Sequence, residues 1–175
     1  MVTIRKEDKT DHSVVFDVVT SAFASMPYSD GTEQHIVSRL RHSEAFVPEL
    51  SLVAELDDNV IGHILLSEVK VISDQEAHTI LSLAPVSVHP DYQRQGIGSL
   101  LIKHAHQVAL DMGYGAVVLI GHHEYYPRFG YQPAHTFDIT FPFDAPAENC
   151  MAIELRKDAL KGVVGQVQYP QEFFN

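Results

Sequence analysis

The chain has 175 residues, of which 45% are hydrophobic and 20% are charged, and this length and composition favour one compact domain with a buried core. Twelve basic and 23 acidic residues give a formal net charge of −11, which opposes binding to nucleic acid and docking on anionic membranes. The single cysteine excludes an intrachain disulfide framework and a four-cysteine metal site.

The start of the chain is charged and lacks a following apolar segment, so no secretory signal is expected. No stretch approaches the ~20 apolar residues that a membrane-spanning helix requires. We therefore expect a cytoplasmic protein with a single domain over residues 1–175, in which about residues 135–175 form a strand-rich C-terminal part.

Hydrophobic spacing predicts the first elements. Alternation over Val2–Arg5 predicts a strand. After Asp11, a candidate N-cap, apolar residues recur every three or four positions and predict a helix. A turn-rich segment at Met26–Gly31 separates this helix from a second, short one that is expected to begin near Thr32.

A hairpin and a long helix are predicted next. The β-rich runs Leu52–Leu56 and Val60–Val71 flank Asp57-Asp58-Asn59, a sequence that is typical of a hairpin turn. A third strand is expected over Thr79–Val88. The apolar periodicity of Gly96–Met112 predicts a long amphipathic helix.

The remaining pattern completes an α/β arrangement with a mixed sheet. Ala116–Ile120 is apolar throughout, as expected of a central strand covered on both faces. Because a helix connects it to Thr79–Val88, the two strands should be parallel. A short helix is expected over Glu124–Phe129, and further strands over Phe137–Phe141 and Cys150–Leu155.

The segment that joins the third strand to the long helix carries a candidate anion site. Gly96 and Gly98 allow close approach of a ligand to the backbone, and the first N–H groups of a helix have no partner within it. Together with the helix dipole, this predicts a site suited to a pyrophosphate, to which Arg94 adds positive charge. A tight turn without a ligand is the alternative, and the pattern matches neither a dinucleotide fingerprint nor a P-loop.

Pro85 lies within the strand that precedes this segment, where proline is normally confined to edges and bulges. A bulge here would separate the strand from its parallel neighbour and leave the amides of Val86 and Val88 available to an amide-containing ligand. An ordinary edge strand is the alternative. Coenzyme A combines the amide groups and the pyrophosphate that the two features would bind.

Two motifs give the sequence a family resemblance. Leu83–Gly98 resembles the acetyl-CoA-binding segment of the GNAT superfamily of N-acetyltransferases, with its Gln/Arg-x-x-Gly-x-Gly/Ala signature. Tyr126–Tyr131 resembles the second signature of that superfamily, and the segments Cys150–Leu155 and Tyr169-Pro170 are similar to a small bacterial subgroup of it. The resemblance implies a mixed, mostly antiparallel central sheet with helices on both faces and a splayed parallel strand pair.

The resemblance also implies roles for individual residues. The main chain of Val86, Ser87 and Val88 would line the pantetheine arm and the acetyl group, and the amide of Ser87 or Val88 would be the oxyanion donor. Tyr126 would hydrogen-bond or protonate the leaving thiolate, with a core aromatic as the alternative. The pyrophosphate would lie against a continuous run formed by Arg94, Gln95, Gly96, Ile97, Gly98 and Ser99.

The general base that takes a proton from the attacking amine is not singled out. The glutamate that some members carry on the strand corresponding to Ala116–Ile120 is absent from this sequence. Glu33, His122, His123 and Glu124 are the candidates, and ordinary roles in loops and at helix ends are the alternative. No metal is expected, because adjacent side chains such as these three rarely ligate one ion.

The resulting hypothesis is an N-acetyltransferase that transfers the acetyl group of acetyl-CoA to a primary amine by direct attack in a ternary complex. The acceptor is a small molecule, a lysine side chain or an N-terminal amine, and the acidic composition favours a cation. A non-catalytic acetyl-CoA sensor or interaction module is the alternative. Phe173 and Phe174 would pack on the domain itself or on a second subunit, which leaves a homodimer open.

Overall fold

The computed structural model describes all residues from Met1 to Asn175. The α-helices are α1 His12–Phe23, α2 Glu33–Leu40 and α3 Ile97–Asp111. The strands are β1 Thr3–Lys6, β2 Phe46–Leu56, β3 Asn59–Ile72, β4 Ala77–Val88, β5 Ala116–Ile120, β6 Gln132–Pro133, β7 Ile139–Thr140, β8 Cys150–Glu154 and β9 Gly165–Gln168. Short 3₁₀ helices lie at Lys9–Asp11, Pro90–Tyr92, Tyr126–Phe129, Ala134–Phe137, Ala147–Asn149 and Gln171–Phe173. No helix is both long enough and apolar enough to span a bilayer.

The strands hydrogen-bond in the order β1-β2-β3-β4-β5-β8-β6, and β9 pairs with both β3 and β7. Most of the strand pairings are antiparallel, whereas β4–β5 and β7–β9 are parallel. The parallel ladder of β4 and β5 pairs Leu81 with Val117 and Ser82 with Val118, and β4 then continues through Pro85. The prediction of a mixed α/β fold with a mostly antiparallel sheet and a parallel pair of these strands is therefore confirmed.

The chain divides into two compact units, each built from segments that are distant in sequence. Unit 1 comprises Met1–Ser67, Ala84–Val108 and Gln171–Asn175. Unit 2 comprises Glu68–Leu83 and Ala109–Pro170. The single domain expected over residues 1–175 stays a prediction.

Helices cover both faces of the sheet in unit 1. On one face, α1 and α2 pack against β2 and β3 through a buried cluster formed by Val15, Val19, Val37, Leu40, Val53 and Leu65. Successive strand residues point to opposite faces, so Ala54 lies on the other face. There, a Cβ built on Gly62 would lie 3.1 Å from Cδ1 of Leu101 in α3 and 3.4 Å from the Ala54 Cβ.

The 3₁₀ helix Gln171–Phe173 packs against α2 in the same unit. The Arg39 Nε donates to the backbone carbonyl of Glu172 at 2.8 Å, and the Ser43 hydroxyl donates to the Glu172 carboxylate at 3.1 Å. Phe173 is partly buried against the cluster beneath α1 and α2, while Phe174 is 48% exposed. Phe173 therefore completes the core of its own chain, and the homodimer stays a prediction.

The predicted hairpin is present with the turn that its sequence indicated. Leu56 pairs with Asn59, and the two residues between them, Asp57 and Asp58, have φ values of 50° and 63°. Left-handed conformation at both positions is characteristic of a type I′ turn, which matches the twist of the joined strands. β2 begins at Phe46, well before the predicted start.

Three local predictions are only partly correct. Asp11 lies at the N-cap position of α1, but its carboxylate accepts hydrogen bonds from the Arg5 guanidinium and the Asp8 N–H instead of capping that helix. The helix expected over Glu124–Phe129 is a short 3₁₀ helix at Tyr126–Phe129. Only Ile139–Thr140 of the expected strand Phe137–Phe141 is a strand, because the segment before it forms a 3₁₀ helix that ends in left-handed Asp138, with φ of 58°.

Candidate functional site

The loop before α3 has the geometry of an anion-binding site. Arg94 and Gly96 have φ values of 62° and 82°, so two left-handed residues flank Gln95. Alternation between left- and right-handed backbone turns successive N–H groups towards a common concavity. No atom lies within 4 Å of a Cβ built on Gly96, so the space beside the loop is open.

The loop leads directly into the first turn of α3. The first hydrogen bond of this helix runs from the Leu100 N–H to the Gly96 carbonyl at 3.1 Å. The N–H groups of Ile97 and Gly98 thus precede the first intrahelical hydrogen bond, at the positive end of the helix dipole. The side chain of Ile97 is buried, which anchors this end of α3, whereas Arg94 and Gln95 are exposed and Ser99 is half-buried.

The end of β4 presents its amides on two sides. The His89 N–H donates to the Ile61 carbonyl of β3 at 2.8 Å. Because N–H directions alternate along an extended strand, the amides of Val88 and Val86 face away from β3, and that of Ser87 faces towards it. The Gln93 Nε2 donates to the Val88 carbonyl at 2.9 Å, on the same outer edge. The Ser87 side chain is buried, and its hydroxyl has no hydrogen-bond partner.

Glu33 is the first residue of α2, where the helix dipole stabilises a carboxylate. The Ser29 hydroxyl donates to Glu33 Oε1 at 2.6 Å, whereas Oε2 is buried and has no partner. The preceding loop is ordered by hydrogen bonds of its own, from the Gly31 N–H to the Ser29 hydroxyl and from the Thr32 N–H to the Asp30 carboxylate, both at 3.0 Å. Glu33 thus has one carboxylate oxygen that makes no hydrogen bond.

Tyr126 lies in unit 2, at the start of the 3₁₀ helix that follows β5. Its ring stacks on Tyr125 with centroids 5.1 Å apart and meets Tyr131 edge-on at 5.8 Å. Burial, together with the nearby Tyr125, raises the pKa of Tyr126 above that of an ordinary phenol. The phenol therefore remains protonated at neutral pH and is a hydrogen-bond donor.

Two residues that were not predicted as site residues lie beside Tyr126. Gly121 contacts its ring, and Asn149 hydrogen-bonds to Gly121. The Asn149 carbonyl accepts from the Gly121 N–H, and the Asn149 Nδ2 donates to the Gly121 carbonyl, each at 2.9 Å. A Cβ on Gly121 would overlap Cε2 of Tyr126 and lie 3.0 Å from Cδ2. No local signal marks Asn149, which lies 28 positions beyond Gly121 in the sequence.

The remaining base candidates, His122, His123 and Glu124, are exposed in the turn between β5 and Tyr126. His123 lies 4.0 Å from the Glu124 carboxylate and 3.9 Å from that of Glu148. No group of three or more histidine, cysteine, aspartate or glutamate side chains is arranged to hold a metal ion. Unit 2 therefore contains these three residues with Tyr126, and unit 1 contains Glu33 with the β4 edge and the loop before α3.

Comparison with known proteins identifies the family. Residues 16–131 match the family model described as the acetyltransferase (GNAT) family. The N-acetyltransferase YjhQ of Escherichia coli K12 is 32% identical over 148 residues, which cover 84% of this chain and 79% of YjhQ. The N-acetyltransferase YhbS of the same strain is 31% identical over 147 residues, covering 83% of this chain and 86% of YhbS.

Solved structures agree over nearly the whole chain. E. coli YhbS in complex with CoA matches with a TM-score of 0.89 and 29% identity, covering 99% of this chain and 92% of that one. A GNAT family acetyltransferase from Brucella melitensis in complex with acetyl-CoA matches with a TM-score of 0.81 and 32% identity, covering 99% and 98%. With the family model, the relatives and the fold in agreement, this chain belongs to the GNAT family of acetyltransferases.

Proposed function

We propose that this chain is an N-acetyltransferase that binds acetyl-CoA and transfers its acetyl group to a primary amine by direct attack within a ternary complex. The observation that carries the proposal is the left-handed backbone at Arg94 and Gly96, which opens into the first turn of α3 beside the outward amides of β4. Similar proteins from E. coli and Brucella melitensis form complexes with CoA and acetyl-CoA, respectively.

The cofactor would be held mainly by backbone groups. The pyrophosphate would accept hydrogen bonds from the loop and helix amides between Arg94 and Ser99, where the helix dipole favours an anion. The pantetheine amides would pair with the outward main-chain groups of β4 at Val86, as an added strand pairs with a sheet edge. The exposed Arg94 would add charge at the rim of this site.

The amide that stabilises the developing oxyanion is better assigned to Val88 than to Ser87. On the sequence alone, Ser87 is the predicted donor and Val88 the alternative. The hydrogen bond from the His89 N–H to β3 implies that the Val88 N–H faces the outer edge and that the Ser87 N–H faces inward. A donor aimed at the thioester oxygen must lie on the side where the cofactor binds.

Tyr126 would stabilise the leaving thiolate as a hydrogen-bond donor. A coenzyme thiol titrates near ~8.5 and an ordinary phenol near ~10, and burial raises the pKa of Tyr126 further. Complete proton transfer from this phenol to the sulfur is therefore unfavourable, so Tyr126 would keep its proton. In the balanced reaction the C–N bond forms, the C–S bond breaks, the amine loses one proton to a base, and the sulfur leaves as a thiolate that takes a proton from solvent.

Glu33 is the base candidate that the contacts favour. It offers a buried carboxylate oxygen without a partner, whereas His122, His123 and Glu124 are exposed to water. A carboxylate at this point would attract a cationic acceptor and, once the amine is neutral, accept the proton that its nitrogen loses on attack. The net charge of −11 also favours encounter with a cationic acceptor.

The test is thiol release from acetyl-CoA with a panel of primary amines, measured for the wild type and for Tyr126→Phe. We expect turnover by the wild type, a loss in kcat of tenfold or more for the variant, as for removal of a hydrogen bond to developing negative charge, and an unchanged Kd for CoA. Tyr125→Phe is the matched control, because its ring stacks on that of Tyr126, and it should retain most of the activity.

Two outcomes would contradict the proposal in different ways. CoA binding without turnover on any amine would favour the non-catalytic sensor. Absence of binding heat with CoA or acetyl-CoA at near-millimolar concentration would overturn the assignment of the loop before α3 as the cofactor site.

A further inference from the structure

We propose that Asn149 and Gly121 form a bracket that positions the phenol of Tyr126, and that Asn149 is therefore a positioning residue for acetyl transfer. The inference rests on the role proposed above for Tyr126. It concerns two residues that belong to neither motif of the sequence analysis. Three contacts connect Asn149 and Gly121 to the Tyr126 ring, all within unit 2.

The first two contacts fix the orientation of Gly121. Its N–H donates to the Asn149 carbonyl and its own carbonyl accepts from the Asn149 Nδ2, both at 2.9 Å. One residue thus engages both backbone polar groups of Gly121. The side-chain bond is the one that depends on the identity of residue 149, because any residue there supplies the carbonyl.

The third contact carries this orientation to the tyrosine ring. A Cβ on Gly121 would overlap Cε2 of Tyr126, so the ring occupies the space that a side chain at residue 121 would take. Tyr125 stacks on the ring, and Tyr131 meets it edge-on. A shift of the Gly121 backbone must therefore move the Tyr126 ring or open a gap beside it.

Gly121 and Tyr126 are also connected along the chain, by the short turn that joins them. Immediately after Gly121, the His122 carbonyl accepts from the N–H groups of Tyr125 at 3.1 Å and of Tyr126 at 3.3 Å. The bracket thus determines where the turn begins as well as what the ring packs against. A hydrogen bond to a leaving sulfur depends steeply on position, and a misplacement of about 1 Å can cost on the order of 100-fold in rate.

The test combines Asn149→Ala with Tyr126→Phe in a double-mutant cycle. We expect Asn149→Ala to lower kcat about tenfold, part of the loss that misplacement of a catalytic group can cause, and to leave the Kd for CoA unchanged. In the Tyr126→Phe background the same change should cost less than about twofold, because the hydroxyl that it positions is gone. An equal loss in both backgrounds would overturn the proposal and make Asn149 a purely structural residue.

Two variants serve as controls. Asn149→Asp keeps the size of the side chain but removes the donor, so it should reproduce the loss even if Asn149→Ala folds poorly. Asn59→Ala removes a bond of the same kind, from Nδ2 to the Asp57 carbonyl at 2.8 Å in the β2–β3 turn, and should leave kcat unchanged.

A second measurement decides the bracket independently of activity. In the wild type, NMR should give strong nuclear Overhauser effects between the Gly121 Hα protons and the Tyr126 ring. These should weaken in Asn149→Asp and Asn149→Ala, and unchanged intensities would overturn the proposal. If the wild type acetylated no amine while these signals still weakened, the proposed function would fail and the bracket would stand.

Discussion

Units 1 and 2 position their candidate binding and catalytic groups in different ways. In unit 1 the anion site consists of backbone N–H groups within one short run before and into α3, shaped by the φ values of Arg94 and Gly96. In unit 2 the candidate group is a single hydroxyl on Tyr126, supported by the distant Asn149 through Gly121. We therefore expect unit 1 to depend on backbone conformation and unit 2 to depend on side-chain packing.

The two units also differ in the titratable groups that they bury. In unit 1, desolvation lowers the pKa of His63 and of His106 to about 4. In unit 2, burial raises the pKa of Tyr126, Tyr131 and Tyr169. Neutral histidine is favoured in one unit and neutral tyrosine in the other, so protonation should destabilise unit 1 and deprotonation should destabilise unit 2.

The largest expected effect is loss of stability in acid. Between pH 6.5 and about 4, His63 and His106 bind protons in the unfolded chain but not in the folded one. The free energy of unfolding should therefore fall as the pH decreases through this window, by roughly 3 kcal/mol for each histidine at about 1.4 kcal/mol per pKa unit. Urea unfolding curves at pH 7, 6, 5 and 4.5 measure the slope.

The environment of His63 suggests the variant that sharpens this test. Its Nε2 lies 3.0 Å from the Ser51 hydroxyl, and its Nδ1 is buried without a partner, so a second ring proton would have no acceptor. The nearby Glu7 carboxylate favours the charged form and Arg41 opposes it, but desolvation outweighs both. His63→Gln should remove about half of the acid slope, and an unaltered slope would show that His63 does not cause it.

The next effect concerns Glu33, a side chain of unit 1. Its loss would show that unit 1 does not depend on backbone conformation alone. Glu33→Gln should lower kcat about 100-fold at neutral pH, the lower end of the range for a general base, without changing the Kd for CoA. The deficit should shrink as the pH rises, because hydroxide from solvent then accepts the proton in place of the missing carboxylate. A pH–rate profile measures this, with the exposed Glu124→Gln as the control. If Glu124→Gln lost the activity instead, the base would lie in unit 2.

The smallest effects compare backbone with side chain within the cofactor loop. Gly96→Val forces a β-branched residue to a φ of 82°, at about 1–2 kcal/mol, so it should weaken CoA binding about 5- to 30-fold. Arg94→Ala removes an exposed charge and keeps the loop, so a loss of up to about fivefold is expected for an exposed ion pair. Calorimetry with CoA measures both, and a larger loss for Arg94→Ala would reverse the assignment of this site to the backbone.

Features determined by neighbouring residues were predictable from the sequence. The Asp57-Asp58 turn is one case, because short polar residues tolerate left-handed backbone. The strand at Ala116–Ile120 was predicted with its observed bounds, since an unbroken apolar run has few alternatives. The loop from Gln93 to Ser99 was also predictable, because its two glycines and the helix that follows are adjacent in the sequence.

Features determined by distant contacts were not predictable. Asp11 looked like a cap, but Arg5 and the Asp8 N–H bind its carboxylate. The strand predicted from Leu52 begins at Phe46, and it passes Pro48 through an irregular register between Phe46 and Ser51. The support of Tyr126 by Asn149 likewise exists only once β5 and β8 have paired.

The packing of Phe173 has a consequence for how the protein is made. A ribosome completes α1, α2, β2 and β3 long before it adds the ring that covers part of their shared core. Until then the nascent chain exposes an apolar surface that mature molecules conceal, and premature release at that stage would invite aggregation. A chain that ends before Phe173 should therefore aggregate more than the 175-residue chain does on refolding.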